Sequence, residues 1–450
     1  MENMENMENT QSMPKADNGA PRRPNPRRRK RKSWKRIVRA YMPLALIVLV
    51  IILFIVFAVG SVNRANERRE QERQESLAIE SSIAQQQLEW EAEANALIAE
   101  AEQYAANCEF EKAIAVLDRF SGNPSDFANL MSVRQTYETA ESSLVSWEDP
   151  TQINFLSFSK LVADPVAGFA GESGADNRYL YISCAEFNAI LQQLYDNGFM
   201  LVDLDDIFTT TKAEDGTALI VKNDLRLPAG KKPIVLVQCQ PSGYENPLVL
   251  NDDGSFSSKV TPAEGESYTG SYDFVPLLEE FIASHPGFSY KGARAILALT
   301  GYKGFFGYPL EEADTVTAIA NALREKGYTL ASNTYGNISY KKADLTALDD
   351  DLASWEVAAA PLLGATEILA YARGGDISDG KGAYTGKKYE YTYSYGYKYY
   401  MGTCYNSTPW MSITDNTIRM GRIMVTGGNL KESPKMFSNL FDASQVYGLK

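Results

Sequence analysis

One histidine, His285, is all that 450 residues provide. Imidazole is the commonest metal-ligating and acid–base side chain near neutral pH, so this scarcity excludes any centre built on two or more histidines. Cysteine is sparse as well: Cys108, Cys184, Cys239 and Cys404 stand far apart and make no C-x-x-C spacing of a zinc site or redox motif. A chain this long needs no disulfide framework, although one pair among the four stays open. Asn63 to Asn107 contains neither glycine nor proline, and Pro43 to Gly60 contains no charge.

The charge that is present is unevenly placed. Residues 1–42 carry twelve Lys/Arg against four Asp/Glu, leaving 32 against 53 for the remainder of a chain whose net charge is −13. The tail, PRRPNPRRRKRK included, is too polar and too charged to offset its ordering entropy by burial, and is expected to be disordered. Its basic run reads as a juxtamembrane anchor and not as a nucleic-acid patch, because an uncharged apolar run comes directly after it. At ~1.5 Å per residue, segment 43–62 matches a ~30 Å hydrocarbon core, so Pro43 to Gly60 reads as a transmembrane helix. The apolar run is longer than a signal peptide's, and no small-residue cleavage site comes after it. Eleven Lys/Arg between Arg22 and Arg39 put the N-terminus in the cytoplasm and the chain beyond the helix outside it.

Segment 63–149 reads as a helical stalk followed by a helical hairpin broken at SGNPSD. The first half of the hairpin resembles one tetratricopeptide unit, which cannot bury its apolar face alone, so the hairpin is expected to pack on the next domain. In 150–450 short apolar strands alternate with helical runs. Strands are predicted at Ile153 to Phe158, Pro233 to Val237, Ala295 to Thr300, Thr329 to Ser332 and Glu367 to Tyr371. Helices are predicted at Cys184 to Asn197, Tyr272 to Ser284, Asp314 to Lys326 and Leu345 to Ala360. That alternation implies an α/β fold of parallel strands and crossover helices, a barrel or an open sheet. Six tyrosines recur at every second position from Tyr389 to Tyr399, which a strand would show as one aromatic face.

Six blocks in order, EFNAILQQLYDNGFMLVDLDDI, LPAGKKPIVLV, YDFVPLLEEFIASHPGFSYKGA, ILALTGYKGFFGY, LREKGYTLASNTYGN and Trp355 to Asp376, resemble the polysaccharide deacetylase family (carbohydrate esterase family 4, NodB homology) over residues 150–448. The resemblance implies a distorted (β/α) barrel with its site at the C-terminal strand ends. It also implies helix followed by strand from about Tyr397, which would scatter the tyrosines.

In the family, the strand matching Pro233 to Val237 ends in two aspartates, a general base and a metal ligand. Here Cys239 and Gln240 stand there. The two histidines of the next motif correspond to Asn333 and Asn337, an early site histidine corresponds to Ser159, and the Arg-x-Pro of the third motif is Ala370-Tyr371-Ala372. Neutral amides give no charge to anchor a transition metal, and nothing supplies a base for Cys239. No metal, no cofactor and no catalytic residue is therefore expected. Gln238, Gln240, Asn333, Asn337, Tyr335 and Trp410 are the candidate ligand contacts, each with a packing or drifted-loop alternative. His285, in SHPGF, reads as a turn or helix-end residue.

The expected protein is membrane-anchored and extracytoplasmic, a deacetylase-like pseudoenzyme that binds polysaccharide, peptidoglycan or a partner protein. Two alternatives stay open: a deacetylase with a site relocated to Asp203, Asp205 and Asp206 or to Asp252 and Asp253, and an inert scaffold.

Overall fold

The computed structural model describes residues 34–239, 246–262 and 265–449. The basic run of residues 22–32 and the candidate contact Gln240 lie outside them. The chain divides into two units, Met1–Gln86 and Gln87–Lys450.

In the first unit the described residues belong to one helix, α1 (Trp34–Ala106), which continues into the second. It starts inside the segment that composition assigns to the tail. It runs without a break from the apolar stretch into the Gly- and Pro-free stretch, where nothing interrupts the i to i−4 ladder. Its apolar window has mean hydropathy 3.3 and none of it is buried, so length and composition suffice to cross a membrane.

In the second unit, the end of α1 packs with α2 (Phe110–Leu117) and α3 (Ala128–Ser142) around Ala94, Leu97, Ala101, Ala113, Leu117 and Leu130. Seven parallel strands come next: β1 (Asn154–Phe158), β2 (Lys232–Cys239), β3 (Ala295–Leu299), β4 (Thr329–Ser332), β5 (Ile368–Ala370), β6 (Tyr399–Cys404) and β7 (Ile418–Met424). Each pairs with the next in chain order. β7 returns to β1 through Arg422↔Phe155 and Met424↔Ser157, closing a barrel. The α/β barrel expected from the sequence is the observed fold. A short strand, Phe199–Leu201, shares the edge of β2 with β3 at the N-terminal end, an irregularity fitting a distorted barrel.

Helices α4 (Cys184–Asp196), α5 (Phe274–Ser284), α6 (Ala313–Glu325), α7 (Leu345–Ser354) and α8 (Lys387–Ser394) occupy the first five crossovers. α4 starts with a capping box: Ser183 Oγ accepts from Glu186 N at 3.1 Å and Glu186 Oε2 from Ser183 N at 2.8 Å. Strand alternation sorts the core into two layers. Phe155, Val235, Val237, Ile296, Ala298, Met401 and Met420 fill the barrel, while Leu156, Leu236 and Leu297 face outward onto Phe187, Leu191, Leu278 and Ile319. β2 is buried on both faces, which is why it reads as an unbroken apolar run.

The aromatic face does not form. Tyr389, Tyr391 and Tyr393 lie on α8 and Tyr399 opens β6, as the family resemblance implies. Tyr397, Tyr399 and Tyr400 are buried, and Tyr389 Oη lies 2.8 Å from Thr417 Oγ1. His285 ends α5, stacked on Phe281 at 4.3 Å, with Nδ1 3.1 Å from the Phe281 carbonyl. All four cysteines are free thiols.

Candidate functional site

The C-terminal strand ends surround a cavity of about 380 Å³. Four positions singled out from the sequence converge on it: Ser159 just past β1, Cys239 at the end of β2, and Asn333 and Asn337 in the turn after β4. The period-2 alternation explains the first two, because Phe155 and Val237 point into the barrel and so do the residues two and four places further on.

The turn after β4 is held from behind. Thr334 and Asn337 have φ of 65° and 52°. Asparagine tolerates the left-handed region, whereas a β-branched threonine there is strained. Asp351, buried on α7, fixes this geometry: Oδ2 accepts from Tyr335 N and from Tyr340 Oη, both at 2.8 Å, and Oδ1 accepts from Gly336 N at 2.7 Å. Burial raises the Asp351 carboxyl above the ordinary aspartate range. Asn333 Nδ2 donates to the Ala370 carbonyl at 2.6 Å, tying the turn to β5.

One residue outside the sequence-derived set dominates the cavity floor. Arg422, on β7, is 2 % exposed and lines the cavity. Its guanidinium donates to Cys239 Sγ and to the Tyr371 carbonyl, more distantly to Ser157 Oγ at 3.5 Å and to the Met401 carbonyl at 3.4 Å. None of these acceptors is a carboxylate. A sequence signal existed: IRMGRIM places two arginines three residues apart in an apolar strand, which puts them on opposite faces. Arg419 faces outward, pairing with Asp376 at 3.2 Å, and Arg422 faces in.

Three expected contacts lie elsewhere. Gln238 is fully buried on the outer face of β2, where Nε2 donates to Asp273 Oδ1 at 3.3 Å and Oε1 has no partner. It alternates with Cys239 and cannot share its side of the strand. Trp410 is half-buried outside the barrel, packed over Gly421 and Gly402. Tyr335 packs back against Gly301 and the outer core, leaving only its backbone in the turn.

The relocated acidic set sits at the other end of the barrel. Asp203 receives a 3.4 Å hydrogen bond from Thr329 Oγ1, at the first residue of β4, and its own N–H donates to Asp206 Oδ2 at 3.0 Å. Burial, with Asp206 and Asp205 beside it, raises the Asp203 carboxyl to about 7. Asp252 and Asp253 belong to an exposed turn in which Asp253 Oδ1 accepts from Ser255 N at 2.9 Å. Among the described residues no group of three or more His, Cys, Asp or Glu side chains is arranged to hold a metal ion.

A divalent metal of the kind the family resemblance implies does not fit the strand-end cavity. Its described lining has no carboxylate and no imidazole, the Cys239 sulfur receives a guanidinium N–H, and a fixed positive charge already occupies the floor.

No family model and no curated protein matches the chain. Among solved structures, the Streptococcus pyogenes deacetylase PplD, in complex with acetate, is similar at 13 % identity and a TM-score of 0.35, the match covering 64 % of this chain and 99 % of that one. A polysaccharide deacetylase from Bacillus cereus is similar at 13 % identity and a TM-score of 0.34, over 61 % of this chain and 66 % of that one. Both likenesses are at low identity and are of fold alone.

Proposed function

We propose that this is a membrane-anchored, extracytoplasmic deacetylase-like protein that has exchanged metal hydrolysis for binding, with a cell-envelope glycan or glycan-bearing partner as its ligand. The observation that carries the reading is the meeting of Ser159, Cys239 and Asn333 at one cavity with the Arg422 guanidinium on Cys239. The polar cavity is retained while the groups that would activate water are replaced. The uncharged stretch within α1, preceded by the basic run of residues 22–32, supports an anchor with the N-terminus in the cytoplasm.

The test uses the full chain in detergent. Bound zinc, cobalt and nickel are measured by mass spectrometry, and acetate release is assayed on acetylated chitooligosaccharides and peptidoglycan with and without added metal. The expected result is substoichiometric metal, no acetate release and retention on insoluble peptidoglycan or chitin. Metal-dependent acetate release overturns the reading.

A further inference from the structure

Arg422 poses an electrostatic problem that its hydrogen bonds do not solve. A guanidinium taken out of water loses hydration worth several kcal/mol, and buried arginines ordinarily recover it from a carboxylate. Arg419, its neighbour on the outer face, has Asp376. Among the described residues Arg422 has a thiol, a hydroxyl and two backbone carbonyls, which satisfy donors and bring no negative charge.

The surroundings add positive charge. None of the described residues lining the cavity is acidic, and Arg373 stands exposed on its rim. The buried carboxylate of Asp273 is on the far side of β2, bonded to Gln238. Asparagine amides and hydroxyls complete the wall, Asn333, Asn337, Ser159 and Thr403 among them. A low-dielectric floor with a fixed cation, a second cation at the mouth and neutral hydrogen-bonding groups between them is the arrangement that holds an oxoanion.

We propose that the strand-end cavity is an oxoanion site in which the Arg422 guanidinium supplies the positive charge and the ligand brings a carboxylate or a phosphate. A cavity of about 380 Å³ takes one sugar residue bearing such a group. The anion chemistry rests on the cavity alone; that a sugar carries the anion rests on the glycan reading proposed above. Arg373 meets the ligand at the rim, so its removal weakens binding without disturbing the floor.

The test is calorimetric titration of the full chain in detergent with glucuronic acid, glucose 6-phosphate, N-acetylglucosamine, sodium acetate and inorganic phosphate. The expected result is that the sugar acid or sugar phosphate binds on the order of tenfold or more tighter than N-acetylglucosamine. The better of the two identifies carboxylate or phosphate as the natural group. Arg422→Gln abolishes the preference, and Arg373→Gln lowers it severalfold with an unchanged melting curve. Should Arg422→Gln fail to fold, the charged-against-neutral comparison and the Arg373→Gln variant still decide. Equal binding of charged and neutral sugars overturns the oxoanion site and leaves glycan binding standing. Binding of acetate or phosphate with no sugar bound upholds the oxoanion site and removes the glycan reading. Failure of all five probes overturns the proposal.

Discussion

A guanidinium against a thiol makes Cys239 the position at which the site's charge is set. The resemblance puts an aspartate there, and restoring one by Cys239→Asp would not rebuild a metal site. The new carboxylate would meet Arg422 in a buried, charge-assisted pair, and no described residue lining the cavity offers a second carboxylate or an imidazole to share a cation. The expected outcome is loss of the preference for anionic sugars, no gain in bound zinc, and a melting temperature equal to or above that of the parent. Calorimetry, metal analysis and a thermal melt check the three together. At this scale the sequence is legible only in part. Ser159, Cys239, Asn333 and Asn337 are identified by motif position, whereas Arg422 belongs to a strand that no motif marks. Gln238 and Trp410 are misplaced because polarity and loop position do not tell which side of a strand a residue faces.

The turn after β4 depends on α7, and that dependence is visible in the helix once it is drawn on a wheel. Leu348, Asp351 and Leu352 keep the i, i+3, i+4 spacing of one face, so a single carboxylate interrupts a buried stripe. Its neighbours go elsewhere: Asp349 accepts from Tyr395 Oη at 3.0 Å and Asp350 is exposed. Asp351→Ala would leave the Tyr335 and Gly336 N–H groups and the Tyr340 hydroxyl without their acceptor, beside a threonine held at positive φ. At about 1–3 kcal/mol for each unsatisfied buried group, with relaxation and water recovering part, the expected loss is about 2–4 kcal/mol in denaturant unfolding. Sugar binding at the cavity should weaken as well, because Asn333 and Asn337 lose their fixed positions. An Asp351→Ala protein with parental stability and affinity would show that the turn holds itself. The four helices and five strands predicted from the pattern all form, the helices within a few residues of their sequence-derived ranges at either end, whereas α8 has no predicted range and β7 is in no predicted element. The exception is the helix predicted to reach Ala360, which passes through one wide turn at Trp355–Ala359 before ending at Leu363.

On the scale of the second unit, the two ends of the barrel have separate duties. The cavity opens at the C-terminal strand ends, whereas the hairpin packs at the N-terminal end, where the acidic set of Asp203, Asp205 and Asp206 also lies. Sequence reasoning reaches the expectation that a lone hairpin must pack on something, but not where, because no local pattern encodes which end of a barrel is open. The contacts are specific. Buried Cys108 belongs to the same apolar cluster as Met200, Val202 and Tyr290, and Phe110 and Trp147 are partly buried against that cluster. Lys291 N donates to the Asn107 carbonyl at 2.7 Å and Arg226 to the Glu141 carbonyl at 3.1 Å. Val145 and Ser146 add a two-residue strand pairing with Leu227 and Arg226. A chain starting at Ile153 would uncover this floor, remove those hydrogen bonds and expose Met200, Val202 and Tyr290 to water. A chain starting at Gln87 retains all of it. At ~25 cal/mol per Å² of apolar surface, uncovering three or four such side chains costs several kcal/mol, which for a domain this large is roughly 5–15 °C in melting temperature. The shorter chain is expected to melt lower by that amount and to bind a dye for exposed apolar surface, while the longer one melts in a single transition. Equal melting temperatures would mean that the hairpin is a spacer resting on a barrel already closed at that end.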